Sequence, residues 1–401
     1  RRYQRPISEI LSTDVRQPLE DAMHNGKVII ARLWPGYGGA VPSDADVVAG
    51  VSTEKYQTII IHLTKNSSNP NTYEQKGKKV FYLTQKPDLP FFKPFVFLKL
   101  AALLKREKVD ILHCHKHKTV FYGTIAGKLA GVPIILAHVH GMGRTRNFKR
   151  KILNRFIFSF VDRILTVSRA VREDVIQNNP SFKSENVINV GNSIDLDSFS
   201  SAIYDKQNAR RKFGLSQDSF VFATAGRLVP TKGQKYLVEA FARIKKQITN
   251  AELIIAGIGE LKDELEIQAS DLGCRDSVHF PGFVENMREL YSCTDTFVLP
   301  SLAEGLPRTL IEAMASGVFC IAANAGGIPE ILDNGNCGTL VPPKDSNALA
   351  DAMLKAANMS QQTKSATISA AKKYIRECYS HDVMIKKIEN IYDTLVAEKI
   401  R

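Results

Sequence analysis

The sequence predicts an α/β chain folded into two doubly wound parallel sheets. Three observations carry this expectation. Short β-branched runs alternate with helical patterns from residue 27 onward. The runs fall into two sets. A polar stretch, Ser198–Asn208, lies between them and reads as a linker. The 401 residues suit two or three domains.

The strand candidates of the first half are Lys27–Leu33, Gln57–Leu63, Lys79–Leu83, Asp110–His115, Ile134–His138, Arg163–Val167 and Val187–Val190. Those of the second half are Phe220–Ala225, Glu252–Ala256, Val278–Phe280, Thr296–Leu299 and Val318–Ala322. Residues 1–26 are polar and weakly periodic, and read as an extension of unknown role. The segment Asp382–Lys399 carries Met384, Ile385, Ile388, Ile391, Tyr392 and Leu395 at helical spacing, as a packing helix would.

Composition bounds the function classes. A hydrophobic content of 44% with 24% charged residues is that of a globular protein in water. No run approaches the roughly 18 apolar residues of a membrane span. Phe91–Leu104 and Ala126–Ala137 come nearest and are broken by Lys93, Lys99 and Lys128. No secretory signal pattern is visible. The six cysteines show no metal or redox spacing and read as reduced thiols of a cytoplasmic protein. A net charge of +13 suits anionic lipid, nucleic acid or phosphorylated substrates. The absence of zinc-finger, RNA-recognition and heptad patterns argues against nucleic acid.

Motifs follow the strands. Gly36-Tyr37-Gly38-Gly39-Ala40 lets a backbone approach a phosphate closely, or is an ordinary turn. Phe91, Phe92, Phe95 and Phe97 are interleaved with lysines. Arg144–Arg163 holds seven basic residues against one acid, with Phe148, Phe156, Phe158 and Phe160 among them. Such segments suit an anionic membrane surface, or a core helix with a solvated basic face. His113, His115 and His117 alternate, as if on one strand face. Without a fourth ligand, neutral packing fits them better than zinc. His140, beside Gly141, is a candidate for sugar contact, or a histidine satisfied in the core.

Gly226-Arg227-Leu228-Val229-Pro230-Thr231-Lys232-Gly233 puts two cations at a strand's carboxyl end, where open α/β sheets bind ligands. Gly257 and Gly259 follow the next strand. A dinucleotide fingerprint requires Gly or Ala where Lys262 stands, so that ligand is excluded. Gly282 and Phe283 offer a backbone loop to a base edge, or form a structural turn. Ser301–Gly317 is the most informative stretch. Glu304 precedes a helix, Pro307 suits its first position, and Glu312 lies about 8 Å down its side. The N–H groups of Gly305, Leu306 and Arg308 face an anion there. Two carboxylates flanking a diphosphate suit a sugar–diphosphate–ribose ligand.

Taken together these motifs resemble the retaining glycosyltransferases of family 4, the group 1 glycosyltransferases, over residues 27–398. The most specific match is Glu304-x7-Glu312. Gly226-Arg227-x4-Lys232-Gly233, Ala325-Gly326-Gly327-Ile328-Pro329-Glu330, Leu165–Ser168 and Asn192–Asp195 follow in family order. The resemblance implies the GT-B fold: an N-terminal acceptor domain at 27–200, a C-terminal donor domain at 201–378, and a helix at 379–401 crossing back. It implies that Arg227 and Lys232 bind the diphosphate, Glu304 the donor sugar and Glu312 the ribose. His140 contacts the sugar, and Gly38 and Gly39 lie near the reaction centre. Donor contacts extend to Gly257, Gly282, Phe283, Gly305, Leu306 and Pro307.

The expected reaction moves a sugar from a nucleoside diphosphate, UDP rather than GDP, to an acceptor hydroxyl with retention. No catalytic metal or other cofactor is expected. The acceptor is expected to be saccharide or lipid-linked, in envelope polysaccharide, lipopolysaccharide or glycolipid synthesis. A cytoplasmic enzyme resting peripherally on the membrane's inner face would meet it. The rivals are a GT-B epimerase and a non-catalytic nucleotide-sugar-binding protein. Gly38-Gly39-Ala40-Val41 lacks the acidic residue common after the glycines, which leaves acceptor handling unassigned.

Overall fold

The computed structural model describes residues 27–37, 47, 50–65, 71–85, 93–143, 148–179, 182–200 and 204–400. The extension 1–26 and the glycines Gly38 and Gly39 lie outside them. Among the described residues the first strands are β1 (Val28–Tyr37), β2 (Tyr56–Lys65), β3 (Lys79–Thr84), β4 (Ile111–His115), β5 (Ile134–Val139), β6 (Arg163–Thr166) and β7 (Val187–Asn189). They form one sheet in the order β3-β2-β1-β4-β5-β6-β7. The strands β8 (Phe220–Ala225), β9 (Ala251–Ala256), β10 (Val278–Gly282), β11 (Thr296–Leu299), β12 (Phe319–Ala323) and β13 (Thr339–Val341) form a second, ordered β10-β9-β8-β11-β12-β13. Pairing is parallel from β3 to β5 and throughout the second sheet. These are two Rossmann-like sheets. Their strands are apolar runs because helices cover both faces.

The strand order reverses between β1 and β4 and again between β8 and β11. The loops leaving the carboxyl ends diverge at those points and open a crevice. By contacts the described chain divides into two units. One comprises residues up to Val139, Lys151–Leu165 and Ile385 onward; the other comprises His140–Arg150 and Thr166–Met384.

Three helices follow one another along the chain, α1 (Pro94–Arg106), α2 (His117–Ala130) and α3 (Phe148–Phe158), all in the first unit except the start of α3 before Lys151. α2 touches both neighbours, through Phe97–Phe121 ring contact at 5.5 Å and a 2.9 Å His117–Asn154 hydrogen bond. In the second unit α4 (Arg169–Asn178), α5 (Gln234–Lys245), α6 (Arg308–Ala315) and α7 (Gln361–Tyr379) matter most to the site. α5 buries Leu237, Val238, Phe241 and Ile244, the three-four spacing of a core-facing stripe. No helix among the described residues is long and apolar enough to cross a membrane.

The last helix, α8 (His381–Lys399), crosses back to the first unit, as expected. Ile388, Tyr392, Leu395 and Val396 are buried. The Tyr392 hydroxyl meets His113 Nδ1 at 2.8 Å, and Glu389 accepts the Ser52 N–H at 2.6 Å. Asp393 takes the Tyr56 hydroxyl and pairs with Lys55. Exposed ion pairs such as Arg163–Glu398 add little. The buried ring and its hydroxyl matter more.

Three expectations are corrected. The linker is partly helical, with Leu196–Ser200 and Lys206–Lys212 in helices, because Asp205 caps the second by accepting the Gln207 N–H at 2.9 Å. β1 continues through Gly36 and Tyr37, which pair with Thr64 and Lys65, so these two residues belong to the strand and not to a turn after it. His117 does not share the strand face with His113 and His115, because Lys116 at φ 72° ends the strand and His117 opens α2.

Tyr392→Ala should cost about 3–5 kcal/mol of stability and Tyr392→Phe about 1–2 kcal/mol, read by urea unfolding. Equal losses in the two variants would contradict this packing of α8.

Candidate active site

Every described residue of the expected donor site belongs to the second unit. The loops after β8 and β11 flank its switch point. After β8 the chain turns at Gly226, and the Gly226 and Leu228 N–H groups bond to Ala256 and Ile258 at 3.0 and 2.9 Å. The Arg227 carbonyl accepts from Gln234 Nε2 at 2.9 Å, so its backbone is fixed while its side chain stands exposed. A single turn, Pro230–Lys232, leads to Gly233 and α5. Lys232 Nζ pairs with Glu304 Oε1 at 2.5 Å, with the two side chains 20% and 10% exposed.

The glycines allow loops to touch main chain to main chain. Gly257 has φ 141°, and a Cβ on it would strike the Gly226 carbonyl; its N–H bonds to Gly282 O at 2.7 Å. Gly226, Gly257 and Gly282 thus form a row across three adjacent strand ends. Phe283 follows with its ring 71% exposed, open for stacking. Gly282 also holds Gly257 in place, a structural duty the sequence did not reveal.

Glu304 is held the same way. A Cβ on Gly305 would strike the His140 carbonyl, and one on Gly326 would strike the Glu304 carbonyl. The Gly327 N–H bonds to Glu304 O at 3.2 Å. The His140–Gly141, Glu304–Gly305 and Gly326–Gly327 loops therefore stack as three layers. Leu306 and Pro307 are buried below. Pro307 is the N-cap residue with ψ 115°, and α6 starts at Arg308, one residue later than expected. Its unpaired first amides are those of Arg308, Thr309 and Leu310, so the anion-facing group lies slightly further along than Gly305 and Leu306.

Glu312 lies within α6 and is buried. Burial raises its carboxyl above the ordinary range, against the pull of the Arg308 charge at 3.5 Å and the Tyr291 hydroxyl at 3.1 Å. Tyr291 also donates to Thr309 O at 3.0 Å, and burial pushes its own hydroxyl well above its usual pKa. Sequence reasoning missed Tyr291, which comes from a different helix.

In the first unit His113, His115 and His138 converge, with nitrogens within 4.8 Å of one another. His138 replaces His117 because parallel register sets it opposite His115. Three of their nitrogens take part in hydrogen bonds to one another or to Arg32: His113 Nε2 meets His138 Nδ1 at 3.3 Å, and His115 Nε2 accepts from Arg32 at 3.2 and 3.3 Å. His113 and His115 stack at 4.3 Å.

Comparison with known proteins gives this arrangement its family. The sequence profile of group 1 glycosyl transferases matches residues 205–374, and that of glycosyltransferase family 4 matches 37–198. The chain is 30% identical over 267 residues to an Escherichia coli UDP-Gal:alpha-D-GlcNAc-diphosphoundecaprenol alpha-1,3-galactosyltransferase, covering 64% of this chain and 69% of that one. The chain belongs to the group 1, family 4 glycosyltransferases. This glycosyltransferase is also 26% identical to the Staphylococcus aureus capsular polysaccharide biosynthesis glycosyltransferase CapM, over 83% of its own length and 90% of the relative's. Its fold matches a Rickettsia africae glycosyltransferase (TM-score 0.79, 19% identity, 92% and 99% covered). It also matches Anabaena HepE in complex with UDP-glucose (0.78, 22%, 91% and 99%). The glycosyltransferase thus adopts the GT-B fold.

Glu312 has a measurable signature. A carboxyl whose folded pKa is raised contributes stability that is complete at low pH and lost as pH rises through the raised value. Glu312→Gln should therefore melt above the parent protein near about pH 8, with the gain vanishing toward about pH 4. Parallel melting profiles would mean that Glu312 ionises freely.

Proposed function

We propose that the enzyme moves a sugar from a UDP-sugar to a hydroxyl of a lipid-linked or saccharide acceptor, with retention, in envelope polysaccharide or glycolipid synthesis. The observation that carries the reading is the Lys232–Glu304 pair at the second switch point, beside the amino end of α6. An arriving diphosphate draws Lys232 away from Glu304. Glu304 is then released to accept hydrogen bonds from sugar hydroxyls. Arg227, Lys232 and the first amides of α6 stabilise charge that grows on the leaving diphosphate. These cations supply the countercharge that a metal supplies elsewhere, so no catalytic metal enters the proposal. Glu312 takes the ribose diol. The leaving phosphate oxygen accepts the acceptor proton on the same face, which preserves anomeric configuration. UDP is favoured by the names of the E. coli relative and of the HepE complex.

The acceptor reading has its own support. Phe95 and Leu98 on α1 and Ile152 and Phe156 on α3 are 59–74% exposed, and Arg155 stands exposed beside Phe156. Neither helix contains an acid. Apolar side chains within a cationic layer suit an anionic bilayer, where a lipid-linked acceptor resides. The E. coli relative is named for a diphosphoundecaprenol-linked substrate.

Lys232→Ala should lower turnover by roughly 100- to 1,000-fold with the fold intact by circular dichroism; near-parental turnover would remove Lys232 from the reaction. In liposome flotation, the parent should float with anionic but not neutral vesicles, and Phe95→Ser with Phe156→Ser should abolish flotation. Equal recovery on both vesicle types contradicts the membrane reading.

A further inference from the structure

Glu330 has no part in the transfer reading, yet it ties its own segment to three others. Its Oε2 accepts the Arg169 N–H at 2.7 Å and its Oε1 accepts Asn189 Nδ2 at 3.0 Å. Its carbonyl oxygen accepts the hydroxyls of Tyr374 at 3.0 Å and Tyr379 at 3.2 Å. The orientation of Asn189 is fixed, because its Oδ1 accepts the Gly191 N–H at 3.1 Å. Residue 330 must therefore offer an acceptor at both side-chain positions. A carboxylate does so and an amide does not.

The contacts lead from Glu330 to Glu304. Arg169 opens α4, whose N-cap Ser168 accepts the Val171 N–H at 3.1 Å. Ser168 packs so closely on Gly327 that a Cβ there would strike both it and the Gly305 carbonyl. Gly327 in turn donates to Glu304 O. None of Glu330's hydrogen bonds reaches Arg227, Lys232 or Glu312.

We propose that Glu330 is a positioning residue for sugar transfer: it seats the Gly326–Gly327 layer on Ser168 and thereby sets where Glu304 stands. This rests on the reading of Glu304 as the donor-sugar contact. A residue that merely braced the fold would affect nucleotide binding and turnover together. A residue that aims Glu304 affects turnover alone, since UDP carries no sugar.

The test uses the full chain as Glu330→Gln, and as Glu330→Gln combined with Asn189→Asp. In the pair the donor and acceptor roles are exchanged. The new amide at position 330 donates to one oxygen of the new carboxylate at position 189, while the other oxygen still accepts from Gly191. UDP affinity is measured by calorimetry, and turnover as UDP release from saturating UDP-glucose, UDP-galactose and UDP-N-acetylglucosamine. In Glu330→Gln, UDP affinity should stay within about twofold while turnover falls roughly 10- to 100-fold. The pair should recover to within about threefold of the parent. Parental turnover in the single variant, or a loss that the pair leaves in place, overturns the proposal. Hydrogen exchange at the Gly327 amide decides the matter independently of the donor. It should quicken in the single variant and recover in the pair; unchanged exchange overturns the proposal. A parent that neither binds UDP nor releases it from any of the three sugars refutes the donor reading instead.

Discussion

The donor site depends on main chain meeting main chain. At the carboxyl edge of the second sheet, loops from successive strands approach so closely that a Cβ at Gly257, Gly305 or Gly326 would enter a neighbouring carbonyl. Each loop fixes the next: Gly282 holds Gly257, Gly257 abuts Gly226, Gly327 donates to Glu304, and the His140 carbonyl lies on Gly305. Charged side chains are thus mounted on a stack with little freedom to shift. That is the preorganisation that electrostatic catalysis requires, because the groups need not rearrange as charge develops.

The same stack holds charges at a cost to stability. Lys232 and Glu304 satisfy each other in a largely buried setting. Glu312 is less well served, with Arg308 at 3.5 Å and one shared phenolic hydroxyl set against near-complete burial. A carboxyl placed for folding alone would not stand there. Burial that opposes ionisation makes Glu312 a candidate for binding a ligand, as perturbed carboxyls are.

The sheets were legible because their strands are continuous apolar runs, and all twelve candidates appear. β13 escaped notice because Thr339–Val341 is only three residues long, between Gly338 and two prolines. The linker misled because polar composition reads the same for a loop and for a short solvated helix. Glu304, Glu312, Arg227 and Lys232 could be named as candidates because they fall in compact motifs, two at a helix start and two after a strand. The third imidazole was not: His138 reaches His113 and His115 through pairing of β4 with β5, and sequence spacing does not encode register. The role of Glu330 does not show in the sequence, since its side-chain partners lie 161 and 141 residues away.

On the proposed function, the stack holds Glu304 and Lys232 ready for a nucleoside diphosphate sugar. A crystal structure of the UDP complex tests it most directly. The account predicts the diphosphate at the amino end of α6, with Lys232 Nζ moved from Glu304 onto a phosphate oxygen and the glycine layers unmoved. A nucleotide bound elsewhere, with the Lys232–Glu304 pair intact, would contradict it.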